Sequence, residues 1–150
     1  MEPRIALCQL APRAIEDLDV ALSQTAELVP QLLYARIAVL ARHGRHADVA
    51  ATAEKLAELK PKGAPSLYDA ACGYSLCVAA VAAGKKPEQL STDEAALREK
   101  YAARAIELMR QAVQGGWTNV EHMKKDTDLD PLRERPDFQK LLADLEHSSS

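Results

Sequence analysis

The stretch LLYARIAVLARHGRHADVAATAEKLAELKPKG, residues 32–63, decides the fold. Leu33, Ile37 and Leu40 recur at the spacing of one helical face, and Val49, Ala53, Leu56 and Leu59 make a second apolar stripe. Gly44, between His43 and His46, breaks the first helix, and Pro61 with Gly63 stops the second. So short a connection makes the pair an antiparallel helical hairpin.

The helical period extends in both directions. Ile15, Leu18, Leu22 and Val29 predict an N-terminal helix over 12–29, with Pro30 ending it or starting the next. Leu67, Ala71, Tyr74 and Val78 form the stripe of a helix opened by Pro65 and capped by Ser66; Gly84 to Pro87 break it. Ser91 with Glu94 reads as a capping box, heading a helix that runs to Gly115-Gly116. Thr118 with Glu121 reads as another, opening a short helix. Asp130-Pro131 reads as an N-cap with proline at the first helical position. Pro136 restarts the last helix, lined by Phe138, Leu141, Leu142 and Leu145. No segment reads as a strand.

Composition agrees. The chain has 150 residues, of which 47% are hydrophobic but only 4% aromatic, so its core is built from aliphatics and alanine. A net charge of −3 gives no field to recruit nucleic acid or an anionic membrane. No apolar run reaches a membrane-spanning length, and the N-terminus is a poor signal peptide. Cys8, Cys72 and Cys77 are odd in number and read as buried, reduced side chains, which predicts a cytoplasmic setting.

A repeat underlies the pattern. In a 34-residue helix-hairpin repeat, position 20 is small or aliphatic and position 32 is proline; Val49 and Pro61 fit. The next repeat starts at Ala64, placing Leu67, Ala71 and Tyr74 at its positions 4, 8 and 11 and Ala105 at its position 20, after an insertion of residues 83–104. The insertion is expected to lengthen both helices. Position 8 of the first repeat is Ile37, where a small residue is usual, so a wider crossing or a slipped register is expected there.

Three stretches, LYDAACGYSL (67–76), YAARAIELMRQAVQGGW (101–117) and HMKKDTDLDPLRERPDFQKLLADL (122–145), resemble tetratricopeptide repeat (TPR) regions. The likeness is to the C-terminal TPR regions of planctomycete-type bacterial serine/threonine kinases, and it covers residues 31–146. It implies an all-α, TPR-like helical-hairpin array, an α-solenoid, with a C-terminal helical cap. Residues 1–30 are then an N-terminal helix, partial repeat or cap, and 147–150 a disordered tail. It also implies a scaffolding or regulatory module for protein–protein interaction, with no enzyme activity and no cofactor. The kinase motifs themselves are absent from the sequence.

In such arrays the first helix of each repeat lines the groove. That assigns Gln31, Tyr34, Ala38, Ala41 and Arg42 from the first repeat, and Pro65, Tyr68, Cys72, Ser75 and Leu76 from the second. Tyr34 and Tyr68 are the expected anchors for a protein or peptide. Trp117 is expected to plug the seam between the long helix and the cap.

Competing chemistries are weaker. DTDLDPLRERPD (126–137) has the alternating aspartates of a calcium loop, but the glycine such a loop needs is replaced by Pro131. His43 and His46 lack a third metal ligand, and Cys72 lacks a neighbouring base to make it a nucleophile. No metal site is therefore assigned. The remaining alternatives are a homodimer through helix 12–29 and a metal- or small-ligand-binding protein using the Asp-rich C-terminal third.

Overall fold

The computed structural model describes residues 17–23, 27–59 and 64–148. The chain is all-α, and the described residues contain no strand. The helices are α1 (Leu18–Leu22), α2 (Val29–Arg42), α3 (His46–Glu58), α4 (Ala64–Ala82), α5 (Thr92–Gln114), α6 (Val120–Lys125) and α7 (Pro136–Ser148). Short 3-10 turns lie at Pro87–Gln89 and Thr127–Leu132. No described helix is long and apolar enough to cross a membrane.

The quoted stretch forms the expected hairpin. Pro30 lies in the first turn of α2, where its missing N–H has no partner to lose. Gly44 turns the chain at φ +71°, a backbone state that side chains disfavour. Val49, Ala53 and Leu56 then return along the hairpin, buried.

Helix α4 is the centre. It packs on α2, α3, α5 and the 3-10 turn at 127–132. Its buried residues take up most of the cylinder and leave one narrow face, at Asp69, Leu76 and Ala80, uncovered. It ends where Ala83 (φ +47°) and Gly84 (φ +81°) turn out of helical geometry. Ser91 and Glu94 form the full capping box of α5. Residues inserted relative to a 34-residue period fall largely within α5, a 23-residue helix.

Polar ties lock the seams. Arg36, 4% exposed, donates from Nε to Thr52 Oγ1 at 2.8 Å. Arg104 forks onto Glu54 (2.5 and 3.2 Å), which also accepts from the Tyr74 hydroxyl at 2.5 Å. Arg135 forks onto Glu99 (2.7 and 3.0 Å) and onto its neighbour Asp137, tying the start of α7 to α5. Phe138, 1% exposed, anchors α7 in the core.

Several local expectations shift. Ser66 lies inside α4 rather than capping it, because the helix already begins at Ala64. Asn119, not Thr118, caps α6: its side chain accepts from His122 N, which leaves Val120 and Met123 facing the core. Asp126, not Asp130, caps the turn at 127–132, and Pro131 falls within that turn. The predicted helix 12–29 is interrupted at Ser23, the C-cap of α1, and Val29 opens α2 instead. Ile15, Cys8, Pro61 and Gly63 lie outside the described residues. Helix α7 continues through His147 to Ser148, into the segment read as a tail.

Candidate functional site

A groove of about 550 Å³ runs between α2 and α4, closed at one end by the turn at 127–132. Helical spacing builds both walls. On α2, Tyr34, Ala38, Ala41 and Arg42 follow one another at four, three and one residues. On α4, Asp69, Cys72, Gly73, Leu76, Ala79 and Ala80 recur at steps of three and one. The floor is therefore small and apolar, with Ile37 at its base.

Four residues assigned from the repeat register, Tyr34, Ala38, Arg42 and Cys72, line this one groove, as do Ala41 and Leu76. Tyr34 is 47% exposed, the only exposed large hydrophobic side chain among the described residues. Gln31 is exposed on the same helix, beyond the lining. The other expected anchor is placed differently. Tyr68 is 2% exposed, stacked on Trp117 with ring centroids 4.1 Å apart and planes at 7°. Its hydroxyl donates to Asp126 Oδ2 at 2.8 Å. Ser75 is fully buried and donates to the Asp128 carbonyl at 2.6 Å. The C-terminal turn covers this part of α4, so Tyr68 and Ser75 are inside the closure rather than on the groove. Pro65 is exposed near the start of α4 and outside the lining. Trp117 sits at the expected seam, with its ring against Tyr68 and His122.

Two charged lining residues escaped the repeat register: Asp69 and Asp128. A signal for the first was present, since Asp69 is the only ionised residue in the whole of α4. Asp69 has no hydrogen bond or ion pair among the described residues. Burial, then repulsion from Asp126, raises its carboxyl to about 6; His122 pulls the other way and Asp128 adds to the rise. Asp128 is also raised, by burial and by Asp126 and Asp130. The Tyr34 hydroxyl is raised by burial and then by Asp69 and Asp128, so it faces the same uncompensated charge. Arg42 lines the opposite end.

The sign of this charge gives a stability prediction. The folded carboxyl of Asp69, near 6, holds its proton more tightly than the ordinary value of 3.8. Its stabilising contribution is then complete below pH 4 and lost as pH rises through 6. Asp69→Asn should therefore raise stability by about 1 kcal/mol at pH 7.5, a figure discounted for partial exposure, and by nothing at pH 4. Thermal unfolding at the two pH values measures this. A loss of stability at pH 7.5 would contradict it.

Cys72, Asp126 and Asp128 bring three potential metal-ligating atoms within 4.8 Å of one another. Protein groups already occupy Asp126. Asp126 Oδ2 accepts from Tyr68 and from the Cys72 thiol (3.7 Å), and Oδ1 accepts from Asp128 N (3.0 Å). Burial and the nearby carboxylates push the Cys72 thiol well up, away from thiolate chemistry. Two other carboxylates of 126–137 turn to arginines: Asp130 to Arg133 and Asp137 to Arg135.

A second groove, about 640 Å³, lies between α3 and α5 among Ala47, Ala51, Tyr101 and Arg104. Its central charges, Glu54 and Arg104, neutralise each other. Set against family models, curated proteins and solved structures, the chain finds no match.

Proposed function

We propose that this chain is a TPR-like array acting as a protein–protein interaction module, with the groove between α2 and α4 as its binding face. The observation that carries the reading is the groove itself: an apolar floor flanked by an exposed tyrosine, unpaired charge and an arginine. Such surfaces supply a rigid aromatic anchor with polar groups to orient a partner. The succession of packed neighbours also supports it. Each hairpin helix packs on the next, and α2 additionally packs on α4, as first helices do in stacked repeats. Binding rather than catalysis fits the buried, protonated Cys72. A scaffold or regulatory role, and a kinship with bacterial kinase tails, rest on the sequence resemblance.

The test is a comparative pull-down from native lysate. Wild type is set beside Tyr34→Ala and Ala38→Trp, the latter filling the groove, with folding checked by circular dichroism. A partner retained by wild type should be lost with Ala38→Trp and weakened about tenfold with Tyr34→Ala. A partner held equally by all three would move function off this face.

A further inference from the structure

We infer that the groove between α2 and α4 takes a short helical peptide segment carrying a lysine or arginine, whose cation is received by Asp69 and Asp128 beside Tyr34. The inference rests on the reading of this groove as a protein-binding face and adds the chemistry of the occupant. Charge complementarity selects it. The groove's acidic end has carboxylates from two elements, Asp69 of α4 and Asp128 of the C-terminal turn, and neither side chain is ion-paired among the described residues. The other charged and titratable groups around Asp69 are Tyr34 from α2, Cys72 on its own helix, Asp126 at the turn and His122 from α6. Of these only His122 has a basic side chain, and it is directed to Asp126, with Nε2 3.4 Å from Oδ2. A half-buried carboxylate with no cation of its own is held at a cost that an incoming cation would relieve.

The rest of the groove fits a helix. From Tyr34 to Arg42 it runs about 12 Å along α2, or about two helical turns. Ala38, Ala41, Ala79 and Ala80 let a third backbone approach closely. The charges also give direction: a helix dipole favours its N-terminal end at Asp69 and Asp128 and its C-terminal end at Arg42.

The probe is a phage-displayed library of random twelve-residue peptides selected on the full chain at pH 7.5, the enriched peptides then being synthesised and measured by fluorescence anisotropy. The expected peptides carry Lys or Arg next to Ala or Leu. They should bind at least tenfold more weakly to Asp69→Asn and to Asp128→Asn, and more weakly to wild type at pH 5 than at pH 7.5. They should not bind Ala38→Trp. Because Asn replaces Asp at nearly constant volume, these variants keep the fold, as circular dichroism would show. Peptides blocked by Ala38→Trp but acidic, or indifferent to both Asn variants, would overturn the cationic occupant and leave the groove as a binding face. Peptides indifferent to Ala38→Trp, or no enrichment at all, would overturn both. Self-association of the chain that Ala38→Trp abolishes would replace the peptide by a second copy, again overturning the inference.

Discussion

Tyr68→Ala is expected to destabilise the chain by about 3–5 kcal/mol, while Tyr34→Ala should stay within about 0.5 kcal/mol of wild type. The two residues have equivalent places in a repeat register and opposite places in the structure. Tyr34 is 47% exposed and Tyr68 only 2%. Truncating Tyr68 removes a ring stacked flat on Trp117 and opens a cavity beneath it. It also removes the hydroxyl that Asp126 accepts from, leaving that carboxylate with the weak thiol donor Cys72 and the Asp128 N–H. Trp117 is in no position to compensate, since its Nε1 is buried without a hydrogen-bond partner among the described residues. Urea unfolding followed by circular dichroism measures the difference. Tyr68→Phe separates the terms: the stack survives, and a loss of about 1–2 kcal/mol reports the hydroxyl alone. If Tyr68→Ala proved as mild as Tyr34→Ala, the C-terminal turn would not be packed on α4 as described. A binding assay that pairs the two tyrosines would therefore report unfolding, so Tyr34 must be tested alone.

What the sequence made legible was local. The hairpin follows from Leu33, Ile37 and Leu40 against Val49, Ala53 and Leu56, with Gly44 between, because helical periodicity and a turn residue act within a few residues. The capping box of Ser91 and Glu94 is likewise a contact across one turn. The cap at 118–119 was not decided locally, since Thr118 and Asn119 are both capping types. The choice fell to whichever register buried Val120 and Met123. Asp126 and Asp130 posed the same problem, resolved by Tyr68, a residue 58 positions away in the chain. The candidate site divides in the same manner. Its α2 wall, Tyr34, Ala38, Ala41 and Arg42, is a helical stripe and could be read from spacing. Its α4 wall could not be separated from the covered part of α4, because sequence does not show where the C-terminal turn returns. The turn hides Tyr68 and Ser75 and contributes Asp128 in their place.

Gly73→Val is expected to cost about 3 kcal/mol, and the reason resolves the misfit at Ile37. The paired helices of a repeat approach closely where small residues face one another. The first repeat instead has isoleucine at that place, which predicts a wider crossing. In the structure the small residue beside Ile37 is Gly73, on α4. A Cβ added at Gly73 would stand 3.1 Å from Ala53 Cβ and 3.3 Å from Ile37 Cδ1. Both distances are tighter than ordinary contact, so Ile37 occupies the space that Gly73 leaves. Gly73→Ala sets two effects of similar size against each other. Helix propensity gains about 1 kcal/mol, and crowding against Ala53 and Ile37 takes back about as much, so a near-zero change is expected. Valine adds two methyl groups with nowhere to go. A double-mutant cycle identifies the partner. Ile37→Ala alone should lose about 2–4 kcal/mol by opening a cavity, and Gly73→Ala should be stabilising in that background, with a coupling of about 1 kcal/mol. Additive effects would mean that Ile37 and Gly73 do not share the space. The groove could then be widened at its base without disturbing the α2–α4 crossing. Coupled effects would mean that the floor of the groove and the packing of the two helices are the same contact, so that reshaping one must reshape the other.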